Sequence, residues 1–183
     1  MSETVDPKTR RIFVVHGRNT AARKAMFAFL RSLDLSPIEW DQAVGLTEIG
    51  SPFTGEAVTA GINDAQAVVV LLTGDDRVKL KEQDKEGKPI QMPQIRPNVL
   101  FEAGMAFSRY ADRTILVQLG MVRPCESIRG RSLVNLTNKP ASRWALMRRL
   151  YNAGCPVNFH GNWRNTGNFN VVSCSVQSDN REL

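Results

Sequence analysis

The run Ala67-Val68-Val69-Val70-Leu71-Leu72-Thr73 limits the possible folds more than any other stretch of the chain. It shows no polar alternation, and Gly74-Asp75-Asp76 stops it at once. A strand that is apolar on both faces must be covered on both, which places it at the centre of a parallel sheet with helices above and below. The preceding sequence agrees. Arg11 to Gly17 is a continuous apolar run of strand length closed by a glycine, and reads as a buried first strand. Asn19 or Thr20 can cap the helix that follows, Ala21 to Leu33, which carries Ala22, Met26, Phe29, Leu30 and Leu33 on one stripe. Leu35 to Trp40, interrupted by Pro37, suits an edge strand.

Beyond Trp40 the pattern loosens. Asp41 to Pro52 is rich in glycine and small polar residues and predicts a long loop, followed by a helix over Phe53 to Ala65. Arg77 to Pro93 is charged and bounded by proline, and predicts a mobile surface excursion. Arg113 to Gly120 is another buried strand and Arg131 to Leu136 a shorter one, with at most one helical turn between Cys125 and Gly130. Pro140 opens a last helix through Tyr151, stopped by Gly154 and Pro156. After Val157 only Phe169 to Val176 has a strand pattern. Strands alternating with helices predict right-handed crossovers and an α/β, flavodoxin-like sheet of about five parallel strands in the order 2-1-3-4-5. The expected organisation is a tail over 1–10, one domain over 11–157 and a partly irregular extension over 158–183.

The helix before the fourth strand holds the most informative charge. In Arg96-Pro97-Asn98-Val99-Leu100-Phe101-Glu102-Ala103-Gly104-Met105-Ala106-Phe107, proline suits the first helical position. Apolar side chains cover nearly the whole circumference, so the helix reads as buried all round with Glu102 as its only interior charge. Such a carboxylate is costly without a partner or a task. Its ordinary alternative is a surface glutamate on a narrow exposed stripe.

Composition narrows the classes. A net charge of +6 and a pI near 9.6 favour anionic partners, yet no dense Lys/Arg block interleaved with aromatics marks a nucleic-acid track. Cys125, Cys155 and Cys174 are too few and too scattered for a disulfide framework, which makes a reducing cytoplasm the default location. His16 and His160 alone exclude a histidine-rich metal site. Neither a signal-peptide core at the polar start nor an apolar run of membrane-spanning length is present, so no membrane partner is expected.

In a sheet of this kind ligands bind beyond the carboxyl ends of the strands, where the strand order reverses. The residues emerging there are His16-Gly17-Arg18-Asn19, Trp40-Asp41, Thr73-Gly74-Asp75-Asp76 and, on the neighbouring helix, Glu102. The opening Ile12 to Asn19, the Val68 to Thr73 strand and above all Arg96-Pro97-Asn98-Val99-Leu100-Phe101-Glu102-Ala103-Gly104 resemble the TIR-like domains of bacterial anti-phage effectors, including those linked to STING and to cyclic-nucleotide sensing. The resemblance covers roughly Arg11 to Val157. It implies hydrolysis of NAD+, as substrate and not cofactor, at the nicotinamide–ribose bond, with Glu102 as the catalytic glutamate. It further implies substrate contacts from His16, Gly17, Arg18, Asn19, Trp40, Asp41, Thr73 and Asn98, and self-association through the 41–52 loop, which matches the family's BB loop.

Several of these residues have plainer readings. Arg18 meets a phosphate or is simply solvated, Trp40 stacks on a base or fills the core, and Asp41 orients a ribose or starts the loop. His16 is expected to hydrogen-bond rather than act as a base. Two other functions are compatible with the same residues: a non-catalytic TIR-type interaction module, and a nucleoside deoxyribosyltransferase, which needs a carboxylate nucleophile. A receiver domain is disfavoured because His16-Gly17-Arg18 stands where an acidic cluster is required. No sensor segment is recognisable, so the trigger is expected in a separate protein or in a longer chain.

Overall fold

The computed structural model describes residues 6–83 and 85–170. A five-stranded parallel sheet lies at its centre. Its strands are β1 (Arg11–Val15), β2 (Ser36–Ile38), β3 (Ala67–Leu72), β6 (Thr114–Gln118) and β7 (Val134–Asn135), in the order β2-β1-β3-β6-β7. The other two strands, β4 (Asp76–Gln83) and β5 (Pro89–Gln94), pair only with each other. With that ribbon set aside, the order is the expected 2-1-3-4-5.

Side-chain alternation divides the interior into two cores. Ile12 and Val14 of β1, Val69 and Leu71 of β3 and Ile115 and Val117 of β6 face one side. There they meet α1 (Thr20–Ser32) and α5 (Pro140–Asn152), through Met26, Phe29 and Leu30 and through Leu146, Met147 and Leu150. Phe13 and Val15, Val68, Val70 and Leu72 face the other side. These are covered by α3 (Thr54–Asp64) with Val58 and Ile62, and by α4 (Pro97–Tyr110) with Val99, Ala103 and Ala106. Every residue of β3 is buried, as a central strand requires. Asn19 caps α1, its Oδ1 accepting from Ala22 N–H at 2.9 Å.

Four expectations need correction or closer definition. Within residues 77–93, β4 and β5 pair as an antiparallel ribbon where an excursion without regular structure was expected. Arg77, Lys79 and Lys81 point outward while Val78 and Leu80 are half-buried, and the density of charge masks this alternation. Outward lysines and prolines also keep such an edge from pairing further. Gly87, at φ 78°, supplies the positive φ at the turn.

The loop expected from Asp41 begins as a short helix, α2 (Trp40–Gly45). Its start is fixed by Glu39, whose N–H donates to Gln42 Oε1 at 2.9 Å and whose carboxylate takes Arg31 at 2.7 Å and Arg23 at 3.2 Å from α1. Trp40 therefore opens a helix instead of ending a strand. Irregular chain follows only from Leu46 to Phe53.

The helix α4 is not buried all round. Only Val99, Ala103 and Ala106 are fully buried, and Phe101 is 71% exposed. Small side chains at 103 and 106 let the helix lie close against the sheet, so its bulkier apolar residues stand to the sides.

Residues 158–170 are irregular, yet Trp163 and Phe169 are buried in the α1–α5 core. Arg143 of α5, 2% exposed, holds this segment by donating to the carbonyl oxygens of Trp163 at 3.0 Å, Gly167 at 2.6 Å and Thr166. The strand pattern from Phe169 to Val176 lies mostly outside the described residues, as does Cys174.

Candidate functional site

The adjacent strands β1 and β3 run parallel, so the loops at their carboxyl ends meet. After Val15 the chain passes through His16, Gly17 and Arg18 to the cap of α1, and after Leu72 through Thr73, Gly74 and Asp75. The Arg18 N–H donates to Asp75 Oδ2 at 2.6 Å, tying the two loops together. Gly17 makes this approach possible, because a Cβ there would run into the Asp75 carboxylate. Asp75 thus belongs to the constellation although only its position after β3 hinted at it. Its carboxylate takes the Arg18 backbone donor that a phosphate was expected to meet; the Arg18 side chain is exposed.

His16 is half-buried, with Nδ1 2.9 Å from Gly17 O, so the proton belongs on Nδ1 and Nε2 remains an acceptor. Burial lowers its pKa against the opposing pull of the Gly17 carbonyl, and the ring is neutral near pH 7. Thr73 is buried beside this loop pair.

Glu102 comes from α4. On a helical projection it stands about 60° to one side of the buried stripe of Val99, Ala103 and Ala106. Arg109, two turns on along the same flank, donates to Asn63 of α3 at 3.0 Å, so this flank faces α3. Glu102 is half-buried, and burial raises its pKa above the ordinary glutamate value. Among the described residues no hydrogen bond or ion pair compensates it. It lies in the second turn of a helix that starts at the carboxyl edge of the sheet, which is the edge where His16 and Thr73 emerge.

The remaining candidates are more dispersed. Trp40 and Asp41 open α2 and are exposed, so Trp40 is not a core residue. Asn98 is exposed in the first turn of α4. Glu102, His16 and Trp40 line none of the surface cavities of about 520, 360, 310 and 260 Å³. The largest lies instead against α3, beneath Leu46, Thr47 and Ile49. Apolar side chains crowd the surface there: Leu46, Ile49 and Phe53, the last 81% exposed, lie on the segment leading into α3. Among the described residues no group of three or more His, Cys, Asp or Glu side chains could hold a metal ion. No helix among them is long and apolar enough to cross a membrane.

Over residues 11–138 the chain matches the family described as CAP12/Pycsar effector protein, TIR domain. The match runs from the start of β1 to just past β7 and stops short of α5. No curated protein matches the chain. The parallel sheet, its strand order and a match over more than half of the sequence agree: the chain belongs to the TIR domain family of the CAP12/Pycsar effector proteins, which serve in bacterial anti-phage defence.

Proposed function

We propose that the chain is an NAD+ glycohydrolase that releases nicotinamide and leaves ADP-ribose or a cyclic form of it, with Glu102 as the catalytic residue. The observation that carries this reading is the half-buried Glu102 carboxylate, which has no protein partner among the described residues at the carboxyl edge of a TIR-type sheet. Nicotinamide departs from a ring that is already cationic, taking the bonding electron pair and neutralising itself. No general acid is required, unlike ordinary glycoside hydrolysis with its two carboxylates. One carboxylate suffices to hold the ribose hydroxyls and to stabilise the oxocarbenium-like transition state. Water then bonds to the ribose carbon and loses a proton to solvent. His16, Gly17, Arg18, Asn19, Thr73 and Asn98 are proposed to contact the substrate, with Trp40 and Asp41 completing the rim.

Membership in an effector family implies an upstream sensor or activator, proposed here to act by driving self-association. The exposed apolar segment of Leu46, Ile49 and Phe53 supports assembly, because a partner copy would cover it. The same surface also favours a second reading, a non-catalytic module that docks a protein partner.

Nicotinamide release by the purified chain at high concentration, with and without a crowding agent, separates the two. Glu102→Gln should lower turnover by ~100-fold or more with the circular dichroism spectrum unchanged. Equal turnover in both proteins would remove Glu102 from the chemistry. Silence from both under forced association would favour the docking module, and a trapped covalent sugar adduct would favour deoxyribosyl transfer.

A further inference from the structure

On the other flank of α4 the connection from β6 to β7 folds into a basic cavity. Gln118 turns back to donate to Gly120 O at 3.0 Å, and the Arg123 N–H then donates to Pro93 O at 2.7 Å at the foot of the β4–β5 ribbon. Gly130, at φ 84°, reverses the chain between Arg129 and Arg131. The enclosed space is about 360 Å³, with Ile95, Val122, Ile128 and Leu133 as its apolar floor and Arg123, Arg129 and Arg131 around it. A second space of about 260 Å³ shares Arg123, Cys125 and Glu126 with it and reaches Leu100 of α4.

Charge in this cavity is unbalanced. Its one carboxylate, Glu126, is taken by Arg129 at 2.9 Å. Arg123 and Arg131 form no ion pair among the described residues. Both side chains are exposed and make one contact each. The Arg131 guanidinium lies 3.7 Å from the ring centroid of Phe107, and Arg123 Nη1 lies 3.4 Å from Gln94 Oε1. Two guanidinia without a carboxylate partner among the described residues, beside an apolar floor, have the chemistry to take a phosphoryl group whose ester partner is a flat, apolar-faced body. Leu100 and Phe107, which border this region, stand about 80–100° from the buried stripe of α4, opposite in sense to Glu102. The cavity is therefore distinct from the Glu102 flank.

We infer that the Arg123–Arg131 cavity is a second binding site, for the phosphoryl group of a nucleoside monophosphate or of free phosphate, separate from the site at Glu102. The inference does not rest on NAD+ turnover, and its failure is read in binding rather than in nicotinamide release.

The test is calorimetric titration of the chain with inorganic phosphate, AMP and adenosine, repeated on R123Q/R131Q, on Glu102→Gln and on Arg164→Gln, which alters an arginine stacked on Trp163 outside the cavity. Cys125 on the cavity wall gives a local footprint, read by peptide mass spectrometry after iodoacetamide. Buried Cys155, its thiol pushed up to about 12, stays inert. Phosphate and AMP should bind saturably and adenosine should not. R123Q/R131Q should weaken binding at least ~10-fold, and Glu102→Gln and Arg164→Gln should leave it unchanged. AMP should slow alkylation of Cys125. Tighter binding of AMP than phosphate assigns the floor to the nucleoside, and equal binding assigns the site to the phosphoryl group alone. Absence of saturable binding, unchanged affinity in R123Q/R131Q, loss of binding in Glu102→Gln, or alkylation of Cys125 unaffected by AMP would overturn the proposal.

Discussion

At the residue scale the site is set by two carboxylates in opposite situations. Asp75 has a donor, the Arg18 N–H, and Gly17 is small enough to admit it. Gly17→Ala should cost about 1–3 kcal/mol in chemical denaturation because the new methyl displaces Asp75. Adding Asp75→Ala to it should recover part of that loss, since the two substitutions share one contact. Glu102 has no such donor among the described residues, and burial raises its pKa. Between the ordinary value and the raised one the folded chain binds more protons than the unfolded chain, so this residue's contribution to stability falls as pH rises through that window. Glu102→Gln should therefore melt no lower than the parent at pH 7 while losing turnover. The acid limb of the pH–rate profile should lie above the ordinary glutamate range. His16 works in the other sense. Its lowered pKa makes the folded chain bind fewer protons just below pH 6.5, and stability should decline as pH falls from there through the folded-state value.

At the scale of elements, Arg143 explains why the irregular residues 158–170 are still part of the core. Its guanidinium is buried with no carboxylate partner among the described residues, held by backbone carbonyls, by Asn138 Oδ1 at 3.1 Å and by the ring of Phe169 at 4.8 Å. Burial lowers its pKa, the expected effect of removing a cation from water. Arg143→Met would leave those carbonyl oxygens without a donor and should cost about 3–5 kcal/mol. The accompanying signs would be a red-shifted tryptophan emission from Trp163 and faster proteolysis near residue 160. The β4–β5 ribbon has a different anchoring: its foot is fastened by Pro93 to the β6–β7 connection, so the two insertions border one basic cavity.

At the scale of the whole molecule, the exposed apolar segment before α3 bears on the proposed dependence of activity on association. Turnover per chain should rise with protein concentration, followed by nicotinamide release and sedimentation velocity on the same samples. Phe53→Glu should suppress both the rise and the larger species. Its melting temperature should stay unchanged, because an exposed side chain contributes little to the core. Loss of association with full turnover would break the link between assembly and catalysis.

Local pattern alone determined the sheet. The doubly apolar β3, the glycine after β1 and the alternation of strands and helices each restrict backbone and burial within a few residues, and together they point to a doubly wound parallel sheet, whose observed order is the flavodoxin-like one. The same local pattern singled out Glu102 as a lone charge among apolar residues, and its half-buried position agrees with that pattern while its catalytic role is the proposal made above. Tertiary structure decided the rest. Which side of α4 is buried depends on how closely Ala103 and Ala106 let it approach the sheet, a distance that composition does not encode. The start of α2 depends on Glu39 reaching across to α1, and the ribbon depends on pairing between residues that read as charged loop. The meeting of Arg18 with Asp75, and of Arg131 with Phe107, joins residues distant in the chain. Such contacts form only once the sheet has brought their elements together.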